Sequence, residues 1–207
     1  LEYQEQAIAA IDKALCKYSP SLKQLQNLEI FCVASLKIGD KEVGATNSKT
    51  RDVILIRVRD SEEQLDPARL EQILHHEFSS LLVRQHLDVF PAQLWQATLP
   101  HGFEYTQQEP SDYVEARPGG DVEWQDLENG FLGKYAQVDP MQDINTVAEQ
   151  VMMESSRYAL AIRTFPRLRQ KAFVYALFLT HVDPALGERA MAFVQTATDE
   201  HTDNSDG

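Results

Sequence analysis

The segment LHHEFSSLL, residues 74–82, has residue types and a spacing that could bind a metal ion. His76 and Glu77 form the first half of the pattern H-E-x-x-H, in which two histidines of one helix bind zinc. In that pattern the glutamate polarises a zinc-bound water as general base. Ser80 occupies the position of the second histidine, and a neutral hydroxyl is a weak zinc ligand. The segment therefore has one ligand and the base of a hydrolytic site, with a serine where the second imidazole belongs.

Another histidine could complete the ligand set. His86 follows His76 by ten residues, as the third ligand does in the extended pattern H-E-x-x-H-x-x-G-x-x-H. Val83 replaces the glycine of that pattern and favours a continuous helix, which would place His86 about 15 Å along the axis from His76. His101 and His181 could approach only through the fold, and His75 is predicted to be a partly buried polar residue.

The elements around the motif should hold it on a packed helix. Asp66-Pro67 is typical of an N-cap followed by a first-turn proline, so a helix is predicted over residues 67–86. At about 100° per residue, its apolar side chains form one stripe. These are Leu70, Leu74, Phe78 and Leu81. The preceding segment DVILIRV, residues 52–58, is rich in β-branched residues and predicts a sheet strand.

The remaining pattern predicts an α+β fold with a small N-terminal sheet and a mostly helical C-terminal half. A strand is expected over 28–38, and helices over 2–18, 91–97, 140–157, 165–181 and 184–198. Residues 101–130 are polar and rich in glycine and proline, so they predict a long loop that is functional or partly mobile. Its aromatic residues could line a peptide-binding cleft, although pinning the loop to the core is the simpler prediction; they are Phe103, Tyr105, Tyr113 and Trp124. Residues 1–198 are interpreted as one domain and residues 199–207 as a disordered acidic tail.

Composition limits the classes of partner. The 207 residues carry a formal net charge of −13, which disfavours nucleic acid and anionic lipid. No apolar run approaches the roughly 20 residues that span a bilayer. The basic segment 163–171 could hold an acidic partner, although a solvated helix start is the simpler prediction. Cys16 and Cys32 are expected to be buried free thiols rather than a disulfide.

A second segment, NGFLGKYAQVDPMQDINTVAEQVM at residues 129–152, adds a resemblance to a known family. Together with LHHEFSSLL it resembles the zinc-binding metallopeptidases of the zincin class, many of which are bacterial lipoproteins. The resemblance covers about residues 50–155 and rests on these two motifs. It implies that His76 and Glu149 are zinc ligands and Glu77 the general base. The intervening loop is matched by Gly130, Phe131, Tyr135 and Ala136, and the run before Glu149 by Asp143, Asn145 and Ala148.

The resemblance implies a zincin-like α+β domain and leaves two hypotheses for function. The first is zinc-assisted peptide hydrolysis with an incomplete ligand set, in which the Glu149 carboxylate lies within about 5 Å of the His76 ring. The second is a catalytically inactive zincin fold that binds a protein or peptide partner. Ser80 favours the second hypothesis, and the presence of both Glu77 and Glu149 favours the first. A leader removed before Leu1 would place the protein in the periplasm or on a lipid anchor.

Overall fold

The computed structural model describes residues 2–20, 22, 26–58, 66–107 and 122–199. These residues belong to two compact units, Leu1–Leu87 and Asp88–Gly207. The first unit combines a small sheet with two long helices, and the described part of the second is helical. The predicted α+β class, with a small N-terminal sheet and a mostly helical C-terminal half, is therefore confirmed.

The first unit contains a three-stranded sheet and a separate hairpin. Its strands are β1 (Glu29–Val33), β2 (Lys37–Ile38), β3 (Lys41–Glu42), β4 (Ala45–Asn47) and β5 (Val53–Arg57). The sheet order is β1-β5-β4, with β1 parallel and β4 antiparallel to β5, while β2 and β3 pair separately. The predicted strand over 52–58 is confirmed. The strand predicted over 28–38 is instead two strands, β1 and β2, separated by residues 34–36, and Gly39, whose φ of 61° suits glycine, lies in the turn between β2 and β3.

Helix α1 (Glu2–Leu15) and helix α2 (Pro67–Gln85) pack against each other in the first unit. Asp66 caps α2 by accepting a 2.9 Å hydrogen bond from the Ala68 N–H, and Pro67 follows at the first helical position. All four side chains of the predicted apolar stripe are buried. The predicted motif helix is thus confirmed. It ends at Gln85 with His86 as its C-cap, so Val83 does continue the helix as the sequence indicated.

The second unit is built from six helices and a 3-10 turn within the described residues. The helices are α3 (Ala92–Ala97), α4 (Trp124–Glu128), α5 (Pro140–Met152), α6 (Ser156–Thr164), α7 (Pro166–Val182) and α8 (Pro184–Asp199), and the turn is Lys134–Gln137. The helix predicted over 140–157 ends at Met152, because Glu154 takes a φ of 49°, and a separate helix that Ser155 caps, α6, runs past the predicted end to Thr164. Residues 108–121 of the predicted long loop, with Tyr113, and residues 200–207 of the predicted tail lie outside the described residues.

Two further predictions concern the cysteines and membrane-spanning helices. Cys16 and Cys32 are free, as predicted, but both are exposed rather than buried. Cys32 is exposed because it lies on β1, an edge strand whose side chains are all exposed or only half-buried. Among the helices that the structure describes, none is both long and apolar enough to cross a bilayer.

Candidate functional site

The motif residues lie on the buried side of α2. His76, Glu77 and Ser80 are buried, with 6%, 9% and 4% of their surfaces exposed. His76 and Ser80 are one turn apart on one continuous helix, so they share a face, as the sequence predicted. One turn after His76, the helix therefore presents the buried hydroxyl of Ser80 where the zinc pattern has an imidazole.

The Glu77 carboxylate contacts β4, the antiparallel edge strand of the sheet. Its Oε2 accepts a hydrogen bond from the Asn47 Nδ2 amide. The Oδ1 of Asn47 in turn accepts a hydrogen bond from Arg84, which also donates to the Ser48 carbonyl at 3.0 Å. Burial lowers the pKa of Arg84, and the Glu77 carboxylate opposes that shift. Glu77, Asn47 and Arg84 thus form one polar cluster, which we call the Glu77 clamp, between the motif helix and the sheet.

A second polar cluster lies on the neighbouring face of α2. His75 is fully buried, and its Nδ1 lies 2.8 Å from the Tyr18 hydroxyl. The Glu71 carboxylate lies 3.7 Å from His75 Nε2, and it forms ion pairs with Lys17 and, at 3.0 Å, with Lys13. His75, Lys17 and Lys13 together hold the pKa of Glu71 well below its usual range. The cluster joins α1 and the residues just after it to α2.

We expect Glu71→Gln to weaken the protein at neutral pH and much less in acid. Because the pKa of Glu71 is lower in the folded than in the unfolded chain, its ionised form stabilises the fold above the unfolded value of about 4.3. This stabilisation is lost as the pH falls through the folded pKa. The variant should lose about 1–3 kcal/mol at pH 7 in urea unfolding, and the difference should shrink below about pH 4. The exposed Glu29→Gln serves as control, and a pH-independent loss would contradict the assignment.

The second unit contains a fully buried ion pair. Lys171 Nζ lies 2.8 and 2.7 Å from the two carboxylate oxygens of Asp143, and both side chains are inaccessible to solvent. Lys171 also donates to the Gly130 carbonyl at 2.6 Å and lies over the Phe131 ring at 3.9 Å. Burial lowers the pKa of Lys171, and the Asp143 carboxylate opposes that shift. The prediction of a solvated helix start over 163–171 is therefore wrong at Lys171.

Two further side chains donate hydrogen bonds to the Asp143 carboxylate. Tyr105 donates to Oδ2 at 2.8 Å, and the Trp95 indole N–H donates to it at 3.2 Å. Burial raises the pKa of Asp143, and Lys171, Tyr105 and Trp95 oppose that shift. Burial, with Asp143 beside it, also raises the pKa of the Tyr105 phenol. The Asp143 carboxylate therefore joins α3, the chain after it and α7 to the start of α5.

The loop matched to the metallopeptidases has a structural explanation within the second unit. Gly130 has a φ of 85°, and a Cβ there would lie 2.7 Å from Arg167 Cβ, so a side chain is strained on both counts. Phe131 packs with Leu99 and Ala136, and Phe103 and Tyr105 close over this cluster. The aromatic side chains Phe103 and Tyr105 do pin their segment to the core, as predicted. Trp124 is 63% exposed and lies against Phe165.

Glu149 lies in α5 of the second unit and is buried, with 2% of its surface exposed. Asn145 and Ala148, which precede it in the matched run, are buried as well. His76 and Glu77 belong to the first unit. The proposed contact between the Glu149 carboxylate and the His76 ring therefore stays a prediction. A solvated surface position for Glu149, the alternative to its role as a ligand, does not fit its burial.

None of the other described histidines shares a helix face with His76. His86 is the C-cap of that helix, and His101 and His181 are exposed residues of the second unit. Over the described residues no group of three His, Cys, Asp or Glu side chains is placed to hold a metal ion. Sequence reasoning missed Asn47, Arg84 and Lys171 as partners of the matched acidic residues. Asn47 lies 30 residues from Glu77, and Lys171 lies 28 residues from Asp143, so spacing does not connect these pairs. Arg84 is seven residues after Glu77 but donates to Asn47. Lys171 offered a sequence signal, as a hydrophilic residue in an apolar helix.

Comparison of the chain with protein-family models, with curated proteins and with solved structures gives no match. The resemblance to zinc metallopeptidases consequently rests on the two motifs and on the elements that carry them.

Proposed function

We propose that this chain is a zincin-like domain that binds a peptide or protein segment and does not hydrolyse it. The observation that carries the proposal is the Glu77 clamp. A general base needs a carboxylate oxygen that can take a proton from water. In this fold Oε2 of Glu77 is occupied by the Asn47 amide, and Arg84 fixes that amide from its other side. The contact links α2 to β4 through Asn47, so the clamp favours a structural role for Glu77.

The donor set on α2 supports the same proposal. A hydrolytic zinc site takes three strong protein ligands and keeps one position for water. The face of α2 that carries the motif supplies one imidazole, from His76, and a neutral hydroxyl, from Ser80. Those residues do not fit a zinc site of the hydrolytic class, and we derive no catalytic step through zinc.

The competing proposal is zinc-assisted peptide hydrolysis by His76, Glu77 and Glu149 with a further ligand. One observation favours it: both carboxylates of the matched motifs are buried on helices, as His76 is. Buried ionisable groups are costly unless they are paired or bind a metal. The clamp explains the burial of Glu77 without a metal.

The two proposals differ in what Glu77→Gln does to hydrolysis of an unstructured protein substrate with added zinc. We expect no hydrolysis by the wild-type protein above the level of Glu77→Gln. We expect Asn47→Ala, which removes the amide from Glu77, to lower the free energy of unfolding by about 1–2 kcal/mol. Thr50→Ala, on the exposed turn beyond β4, is the stability control. Hydrolysis that is abolished by Glu77→Gln would contradict the binding proposal and favour the enzyme.

A further inference from the structure

The second unit has an open groove on its surface, bordered by α3, α7 and α8. The groove has a volume of about 530 Å³. Its apolar lining includes Leu94 of α3, Phe173 and Val174 of α7 and Val194 of α8. Leu94 and Phe173 are 49% and 48% exposed, although both are large apolar side chains. Large apolar side chains that stay exposed beside a concave surface are typical of a binding site.

The charge of the groove is opposite to that of the chain. The protein has 32 acidic residues against 19 basic ones, yet the described residues that line the groove include Arg169 and no carboxylate. Arg167, two residues before it, donates to the Thr98 and Leu99 carbonyls, and Lys171, two residues after it, is paired with Asp143. Arg169 is exposed and makes no hydrogen bond or ion pair to a described side chain. It is therefore the cation of the segment 163–171 that a ligand of the groove can use.

We propose that this groove binds an amphipathic peptide segment that presents two apolar side chains and one carboxylate. The proposal rests on the binding function proposed above and assigns a surface and a ligand class to it. Arg169 and Phe173 lie four residues apart on α7, which is about 6 Å along the helix. The ligand's carboxylate should thus lie about one helical turn from its apolar anchor, while the amides of Gln170 and Gln195 offer hydrogen bonds to a peptide backbone.

The observations favour a peptide over a fatty acid, which has the same two chemical features. The groove is open to solvent rather than enclosed, and its lining includes the side-chain amides of Gln170 and Gln195. An alkyl chain needs an enclosed apolar channel to leave water, whereas a peptide helix or strand can lay one face into an open groove.

The test selects ligands from a library of random dodecapeptides on the full chain and measures affinity by fluorescence anisotropy. We expect the enriched peptides to combine two apolar residues with Asp or Glu one helical turn away. Phe173→Ser should weaken binding of the best peptide about 30-fold, and Arg169→Glu about tenfold. Exchanging the peptide's acidic residue for Lys should restore binding to Arg169→Glu. Leu160→Ser and Arg157→Glu are matched controls, because both residues are exposed on α6 outside the groove.

Three results would overturn the proposal. One is enrichment of peptides without an acidic residue, and another is an affinity that neither groove variant changes. The third is failure to enrich any peptide while oleate binds the wild-type protein and not Phe173→Ser. The test of the groove is independent of the test of the proposed function, because Glu77→Gln should bind the peptide with the same affinity as the wild-type protein. Protein hydrolysis that depends on Glu77 would contradict that function and leave the groove measurements standing.

Discussion

Lys171→Met is expected to lower the free energy of unfolding by about 3–5 kcal/mol, which is a large part of the stability of an ordinary domain. The substitution leaves the Asp143 carboxyl group fully buried without its cation, with only Tyr105 and Trp95 as donors. It also removes the hydrogen bond to the Gly130 carbonyl, which holds the chain after α4 in place. Urea unfolding at neutral pH, followed by circular dichroism, measures the loss.

Two further variants show whether the loss comes from the unpaired charge. Asp143→Asn combined with Lys171→Met removes both charges and keeps an acceptor for Tyr105, so the double variant should lose less than the sum of the single variants. Arg169→Met is the matched control, since this cation is exposed and lies two residues before Lys171 on the same helix. If Lys171→Met costs no more than Arg169→Met, the buried pair contributes little and the assignment is wrong.

The helices were predictable where the sequence features that define them lie within one short segment. The cap Asp66, the proline after it and the apolar stripe of α2 lie within one segment, and the structure confirms that helix. The break between α5 and α6 was not predicted, because Glu154 adopts its positive φ without being a residue type that favours it. Local pattern thus predicts a continuous helix there, and the capping Ser155 is the one sequence signal for the break.

The polar partners were less predictable than the elements. Periodicity indicates that Glu77 lies beside the apolar stripe, but it does not indicate that Asn47, on a strand 30 residues earlier, reaches its carboxylate. In the same way, a lysine in a basic segment is ordinarily solvated, and only the fold brings Lys171 to Asp143. Such pairs depend on which elements pack together, which short-range spacing does not determine. The motif residues could therefore be found from the sequence, whereas their chemical environment could not.

Ser80→His is expected to raise zinc affinity by about 100-fold, since removing even an outer-sphere partner of a zinc ligand costs about 10–100-fold. The substitution places a second imidazole one turn after His76 on the same buried face of one helix. Titration calorimetry with zinc, with and without a competing chelator, measures the affinity. Ser80 is 4% exposed, so the larger side chain should also cost about 1–3 kcal/mol of stability, which unfolding of the metal-free variant reports.

Two variants isolate the effect of the imidazole. Ser80→Gln has a similar size without a ring nitrogen and should leave zinc affinity at the wild-type level. Adding His76→Ala to Ser80→His should remove the gain, because the pair acts as one chelating unit. An affinity that is the same in Ser80→His and Ser80→Gln would show that position 80 does not share a metal-binding face with His76. We expect tight zinc binding in Ser80→His without peptidase activity, because the Asn47 amide still donates to Oε2 of Glu77.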